Sequence, residues 1–275
     1  MALLRTRSLI SRLAHLEAKV REKQTPKGAL LEQFKRDPAR LMTAAKFSPD
    51  PWQQKLLRSH AHQILLLCSR QAGKSTIAAA LAVRTALLQP RSLILILSPS
   101  TRQSGELFRK AKDIFNSLGR PVAIAAESAL RLELVNGARI VTLPGKEGTV
   151  RGFSDVSLLI IDEAARVADS LYYSVRPMLA VSRGKLVALS TPFGKRGWFH
   201  SEWTGAGEWE RVQIAAGQVS RISSQFLAEE RRALGERFYR QEYETDFADC
   251  VDSVFSYADI QAALSDEVQP LFSGV

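Results

Sequence analysis

An apolar run, Ile64–Leu67, is followed at once by Cys68-Ser69-Arg70-Gln71-Ala72-Gly73-Lys74-Ser75 and then by an Ala/Leu-rich stretch reaching Leu88. A buried strand, a short loop ending in Gly-Lys-Ser and a helix form a restrictive combination. In that setting the N–H groups of the loop, with the helix N-terminus, surround phosphate oxygens. The spacing predicts a cradle made by Ser69, Arg70, Gln71, Ala72, Gly73, Lys74, Ser75 and Thr76. Lys74 would neutralise the β/γ oxygens of ATP and the Ser75 hydroxyl would ligate Mg²⁺. The usual first glycine of this loop is replaced by Cys68.

A second motif narrows the chemistry. Leu158-Leu159-Ile160-Ile161-Asp162-Glu163 reads as a buried strand with two acids at its carboxyl end, the end at which open parallel sheets bind ligands. Taken alone, such a pair also suits a helix N-cap. With the upstream lysine loop it points to nucleotide hydrolysis: Asp162 as a holder of Mg²⁺ and Glu163 as the residue that polarises the attacking water.

The rest of the pattern alternates. Strands are expected at Ile64–Leu67, Ser92–Ser98, Val156–Ile161 and Leu186–Ser190, and helices at Trp52–His60, Lys74–Leu88, Ser104–Leu118 and Ala168–Leu179. Leu132–Val135 and Ile140–Leu143 read as a hairpin turning at Asn136-Gly137. Apolar strands alternating with helices imply an α/β fold whose mostly parallel sheet is flanked by helices on both faces. Residues 1–46 read as a basic helical arm, broken at Thr25-Pro26-Lys27-Gly28 and resumed by a second helix at roughly Ala29–Lys35. Trp198, Trp203 and Trp209 are expected to pack, and His60, His62 and His200 to be structural rather than metal ligands.

Composition excludes several classes. The 275 residues are 45% hydrophobic and 24% charged, enough to build a core. No apolar run approaches bilayer length and no secretory signal is visible. Two cysteines are too few for a disulfide framework or a four-ligand zinc site, so a cytoplasmic setting and no membrane are expected. The net charge of +10 favours an acidic partner such as nucleic acid. It is unevenly spread: ten Lys and Arg crowd residues 5–40, and none occurs from Gln241 to Val275. The basic arm suits a contact with DNA, a partner or a neighbouring subunit, and equally a solvated helical face.

Taken in order, these motifs resemble the ATPase domain of tailed-phage terminase large subunits, over roughly residues 47–260. The loop Ser69-Arg70-Gln71-Ala72-Gly73-Lys74-Ser75, with an arginine and no first glycine, is similar to the terminase variant. Pro51-Trp52-Gln53 resembles the adenine-binding segment, with Gln53 reading the base and Trp52 packing. Thr149-Val150-Arg151-Gly152-Phe153 precedes Asp162-Glu163-Ala164-Ala165, and Ser190-Thr191-Pro192 resembles the coupling motif that senses the γ-phosphate. Tyr239-Arg240-Gln241-Glu242-Tyr243, Phe247 and Val254-Phe255 resemble the segment leading out of the domain.

The resemblance implies a P-loop NTPase of the ASCE type that hydrolyses ATP to move double-stranded DNA into a procapsid. It implies Glu163, Lys74, Arg70 and Arg151 as catalytic residues, Arg151 reaching into a neighbouring subunit's site. It also implies self-association into a ring, with the portal and the terminase small subunit as partners. The expected organisation is an arm (1–46), an ATPase core (47–215), a helical subdomain (216–262) and, at 263–275, the opening of an RNase H-like nuclease domain that the chain would lack. A helicase-like nucleic-acid-stimulated ATPase and a truncated remnant that only binds nucleotide or DNA are the rival readings.

Overall fold

The computed structural model describes residues 26–144, 150, 152–248 and 263. Chain order begins with helices α1 (Pro26–Arg36), α2 (Arg40–Ala44) and α3 (Pro51–Arg58), then strand β1 (Gln63–Cys68) and helix α4 (Lys74–Leu88). Strand β2 (Leu93–Ser98), helix α5 (Thr101–Ser117) and strands β3 (Ile124–Glu127), β4 (Arg131–Leu134) and β5 (Arg139–Pro144) follow. The second half holds β6 (Val156–Asp162), α6 (Asp169–Val175), β7 (Lys185–Ser190), α7 (Gly197–Thr204), β8 (Glu210–Ile214) and the helical segment α8 (Ser224–Tyr243), interrupted at Gly235.

One eight-stranded sheet runs in the order β3-β4-β5-β2-β6-β7-β1-β8. From β5 to β8 every pairing is parallel, and β4 is antiparallel to both its neighbours. Alternation along each strand explains why both faces are covered. Ile64, Leu66 and Cys68 of β1 join one core with Ile94, Ile96, Ile160 and the inward face of α4. Leu65 and Leu67 join the other, with Leu95, Leu97, Leu159, Ile161, Tyr172 and Trp198. A strand apolar at every position must bury both of its sides.

Among the described residues the expected strands and helices are present with small boundary shifts, while the arm before Pro26 lies outside them; the Asn136-Gly137 hairpin links β4 to β5 as read. Asn136 donates to the Ala86 carbonyl at the end of α4, 2.9 Å away, which pins the turn against the helix. The helix expected after the Thr25–Gly28 stretch is α1, and it starts three residues early, at Pro26, where proline's missing N–H has no intrahelical acceptor to lose. Two points differ. The span Ala168–Leu179 divides into α6 and a 3₁₀ turn, Arg176–Leu179, with Pro177 at the junction. Finally β3 and β8 lie where no strand was expected; both are short edges, β3 mostly exposed and β8 mixing Glu, Arg and Gln with Val and Ile, so neither has the long buried apolar run that marks the central strands. Trp198 and Trp209 are buried, each donating its indole N–H, to the Val167 carbonyl and to Glu202 respectively.

Gly184, at the entrance to β7, lies so close to β6 that an added Cβ would sit 2.0 Å from the Val156 carbonyl oxygen. Backbone cannot swing aside as a side chain can, so Gly184→Ala should destabilise the fold by about 1–3 kcal/mol, measured as a lower denaturant midpoint. An unchanged midpoint would show that the β6–β7 register yields.

Candidate nucleotide-binding site

Three adjacent parallel strands end at one level. Leu67 of β1 is paired with Ser190 of β7, and Leu189 of β7 with Asp162 of β6. The loop after β1, the acids after β6 and the segment after β7 therefore open onto one cleft of about 950 Å³. Its lining includes every residue from Arg70 to Thr76, together with Gln53, Glu163 and Thr191.

The loop shows why Cys68 is tolerated where a glycine is usual. Cys68 is the last residue of β1, fully buried and paired with Ile214 of β8. Burial pushes its thiol up to about 12, so it packs as a small apolar group. The left-handed turns fall later, at Gln71 (φ 58°) and Gly73 (φ 94°). Gly73 also has a steric reason to be glycine: a Cβ there would meet Gln53 Nε2 at 2.8 Å. Beyond it α4 begins at Lys74, and the N–H groups of its first turn point out of the helix toward the cleft.

Two ties shape the loop. Ser69 N–H donates to the Ile214 carbonyl (2.9 Å) and Arg70 N–H to the Glu242 carbonyl (3.0 Å). The Arg70 guanidinium also donates to the Glu242 carboxylate, 2.6 Å away, so the arginine is ion-paired with α8. Lys74 Nζ donates to the Ser69 carbonyl across the loop. Gln53 is buried; its Oε1 accepts from Asp50 N–H (3.0 Å), which closes the first turn of α3. Arg221 bridges the two sides, pairing with Asp50 at 2.8 Å and donating to the Ala72 carbonyl at 3.3 Å.

At the end of β6, Asp162 is 6% exposed and accepts from the N–H of Glu163. Burial, reinforced by neighbouring Glu163, pushes its carboxyl up to about 6, against the pull of Lys74 and Lys110. Glu163 takes a left-handed conformation (φ 49°) and leads into a single 3₁₀ turn, Ala164–Arg166. Ala165 N–H in that turn donates to Ser190 Oγ, 3.2 Å away on the neighbouring strand. Ser190, Thr191 and Pro192 are all buried.

The donor set fits Mg²⁺ on chemical grounds. No group of three or more His, Cys, Asp or Glu that could hold a metal occurs among the described residues. What lies at the site is one buried carboxylate, Asp162, and the Ser75 hydroxyl on the first turn of α4. Mg²⁺ is typically held by one or two protein oxygens, with water and phosphate completing the octahedron. Ser98 at the end of β2, next in the ladder after the Leu97–Ile161 pair, is also fully buried with its Oγ unpartnered.

The cleft is strongly basic. Lys46, Arg70, Lys74, Lys110, Arg166 and Arg221 line it, against Glu163 as its only acid among the described lining residues. The sequence reading did not place Lys46, Lys110, Arg166 or Arg221 at the site, and it read Glu242 only as part of the segment leading out of the domain. Lys46, Lys110 and Arg221 carry no local signal, whereas Arg166 stands three residues after Glu163, a spacing that hints at a contact. Arg151 lies outside the described residues, as do Val254 and Phe255. No helix among the described residues is long and apolar enough to cross a membrane.

Comparison with known proteins agrees with this geometry. A family model for the N-terminal part of T4-like-virus-type terminase large subunits matches residues 65–262. The terminase large subunit of Escherichia phage T5 is 25% identical over 202 residues, covering 70% of this chain and 45% of the phage protein. The large terminase ATPase domain of Thermus phage P74-26 superposes with a TM-score of 0.67 at 22% identity, over 75% of this chain and 97% of that one. The large terminase of a thermophilic bacteriophage, solved with ATP-γ-S, superposes with a TM-score of 0.57 at 15% identity, over 72% of this chain and 52% of that one. The chain spans about half the length of the curated relatives it matches.

The Asp162 carboxyl, at about 6, lies above its ordinary 3.8, so between those values the folded chain holds a proton that the unfolded chain has lost. The burial penalty is therefore absent below about pH 4 and complete above about pH 6. Asp162→Asn should stabilise the nucleotide-free protein by about 2–3 kcal/mol at pH 8, and the gain should fade toward pH 4. Thermal melts across that range check it; equal melting at pH 8 would contradict the buried charge.

Proposed function

This chain belongs to the terminase large-subunit family, and from that premise we propose that its cleft binds and hydrolyses ATP to drive double-stranded DNA into a viral procapsid. One observation carries the proposal: the register of β6, β7 and β1 opens their ends onto one basic cleft lined by Lys74, Ser75, Glu163 and Thr191, with Asp162 buried next to Glu163. A solved relative that holds ATP-γ-S supports nucleotide as the occupant.

In this reading the triphosphate lies on the first turn of α4 and the loop Ser69–Gly73. Lys74 faces the β/γ oxygens, and Arg70 adds positive charge beside them. Gln53, backed by Asp50 and seated against Gly73, turns its amide to the adenine edge. Mg²⁺ would be held by Ser75 and Asp162 and would supply charge neutralisation at the β- and γ-phosphates. Its presence would also relieve the burial penalty on ionised Asp162. Glu163 accepts the proton of the water that attacks in line, and Lys74 with the arginines stabilises the charge that develops.

The core is assigned to residues 47–215 and a helical subdomain to 216–262, which would dock on the loop through Glu242. Arg151 of a neighbouring subunit would complete the cleft in a ring, with the portal and small subunit as further partners. DNA would be gripped through its phosphates by lysines and arginines, so binding should weaken steeply as salt rises.

Glu163→Gln should keep nucleotide affinity and lower turnover by about 10²–10⁴-fold, the usual contribution of a positioned base. Lys74→Ala should lose productive nucleotide binding. Steady-state ATPase assays with fluorescent-nucleotide titrations check both; undiminished turnover in Glu163→Gln would remove the base assignment.

A further inference from the structure

Arg166 sits between two partners. Its Nε lies 3.8 Å from Glu163 Oε2, an ion pair without a short hydrogen bond, and its Cζ lies 4.2 Å from the centre of the Phe193 ring. The side chain also lines the nucleotide cleft. Phe193 follows Ser190-Thr191-Pro192 directly and carries a second guanidinium, Arg196, at 4.9 Å. The turn holding Glu163 is thus joined to the exit of β7 twice: through Ala165 N–H on Ser190 Oγ, and through Arg166 on Phe193. Past Phe193 the chain passes two left-handed glycines, Gly194 (φ 72°) and Gly197 (φ 73°), and enters α7.

Each of Arg166's two contacts is weak enough to exchange. A guanidinium over an aromatic face is held by the ring quadrupole, and a carboxylate at 3.8 Å by a part-exposed ion pair. Phosphate oxygens offer the same guanidinium charge-assisted, bidentate hydrogen bonds, which are stronger than either. Phe193 does not line the cleft, and Arg196 keeps a cation on its ring if Arg166 departs.

We propose that Arg166 is a positioning residue that ties Glu163 to the Phe193 segment, and that the terminal phosphate of a bound nucleotide draws it off the Phe193 ring. The 193–197 segment then changes its hold on α7 with the state of the nucleotide. This rests on the reading that the cleft takes ATP.

The test uses the full chain and the variants Arg166→Ala, Arg166→Lys, Phe193→Leu, Phe193→Tyr and the Arg166→Ala/Phe193→Leu pair. Phe193→Leu should lower kcat about tenfold with KM for ATP held within about twofold, the pattern of a group that acts on the chemical step rather than on binding. Phe193→Tyr, which keeps the ring, should retain kcat, and Arg166→Lys should restore part of what Arg166→Ala loses. The pair should lose no more than Arg166→Ala alone. Hydrogen exchange across residues 193–204 should differ between ATP-γ-S and ADP in the unmodified chain, and the difference should vanish in Arg166→Ala and Phe193→Leu. Additive losses, an undiminished kcat in folded Phe193→Leu, or an exchange difference that is absent from the unmodified chain or survives Arg166→Ala would overturn the inference while leaving the ATPase intact. If the unmodified chain binds no nucleotide, the reading of the cleft fails and the inference falls with it.

Discussion

The parallel ladder from β6 through β7 to β1 sets everything that happens at the cleft. Parallel hydrogen bonding fixes where each strand stops relative to its neighbour, and here it brings Cys68, Asp162 and Ser190 to adjacent ends. Each strand is held on both faces by apolar side chains, so a shift of one residue would exchange one core for the other. The phosphate loop, the paired acids and the segment after β7 need no long side chains to find one another. They emerge side by side because the sheet leaves no alternative.

On that frame the electrostatics are uneven by construction. Asp162 is buried where its charge is disfavoured, amid basic side chains that draw an anion toward the cleft. Glu163, one residue later, stands in a left-handed turn at the rim. Two neighbouring carboxylates thus meet different environments, one dry and one open, which suits different roles. The same strand end supplies both because the backbone turns sharply between them.

Much of this was legible in the residues. The central strands announce themselves as apolar runs, since burial on both faces leaves no polar position. Gly73-Lys74-Ser75 and Asp162-Glu163 are local patterns and stood out as such. The edge strands β3 and β8 did not, because each is short and only partly buried and so lacks the apolar run of a strand covered on both faces. The start of α1 at Pro26 was legible only to within a few residues, because proline can close a turn or open a helix at its first position. The contacts of Arg221 and Glu242 with the loop were not legible, although Glu242 stood within the 239–243 segment. Each reaches the loop from more than 140 residues away, through a tie with no periodicity to betray it.

The Arg70–Glu242 tie bears on how the chain is made. The loop's second residue is secured, by main chain and side chain together, to a residue 172 positions downstream. Every strand of the sheet is complete by Ile214. On the ribosome, where synthesis runs from the N-terminus, the sheet can assemble while its phosphate loop still lacks the last clasp. The tie to Glu242 can form only once α8 has been made, so the last restraint on the loop is set after every strand of the sheet exists.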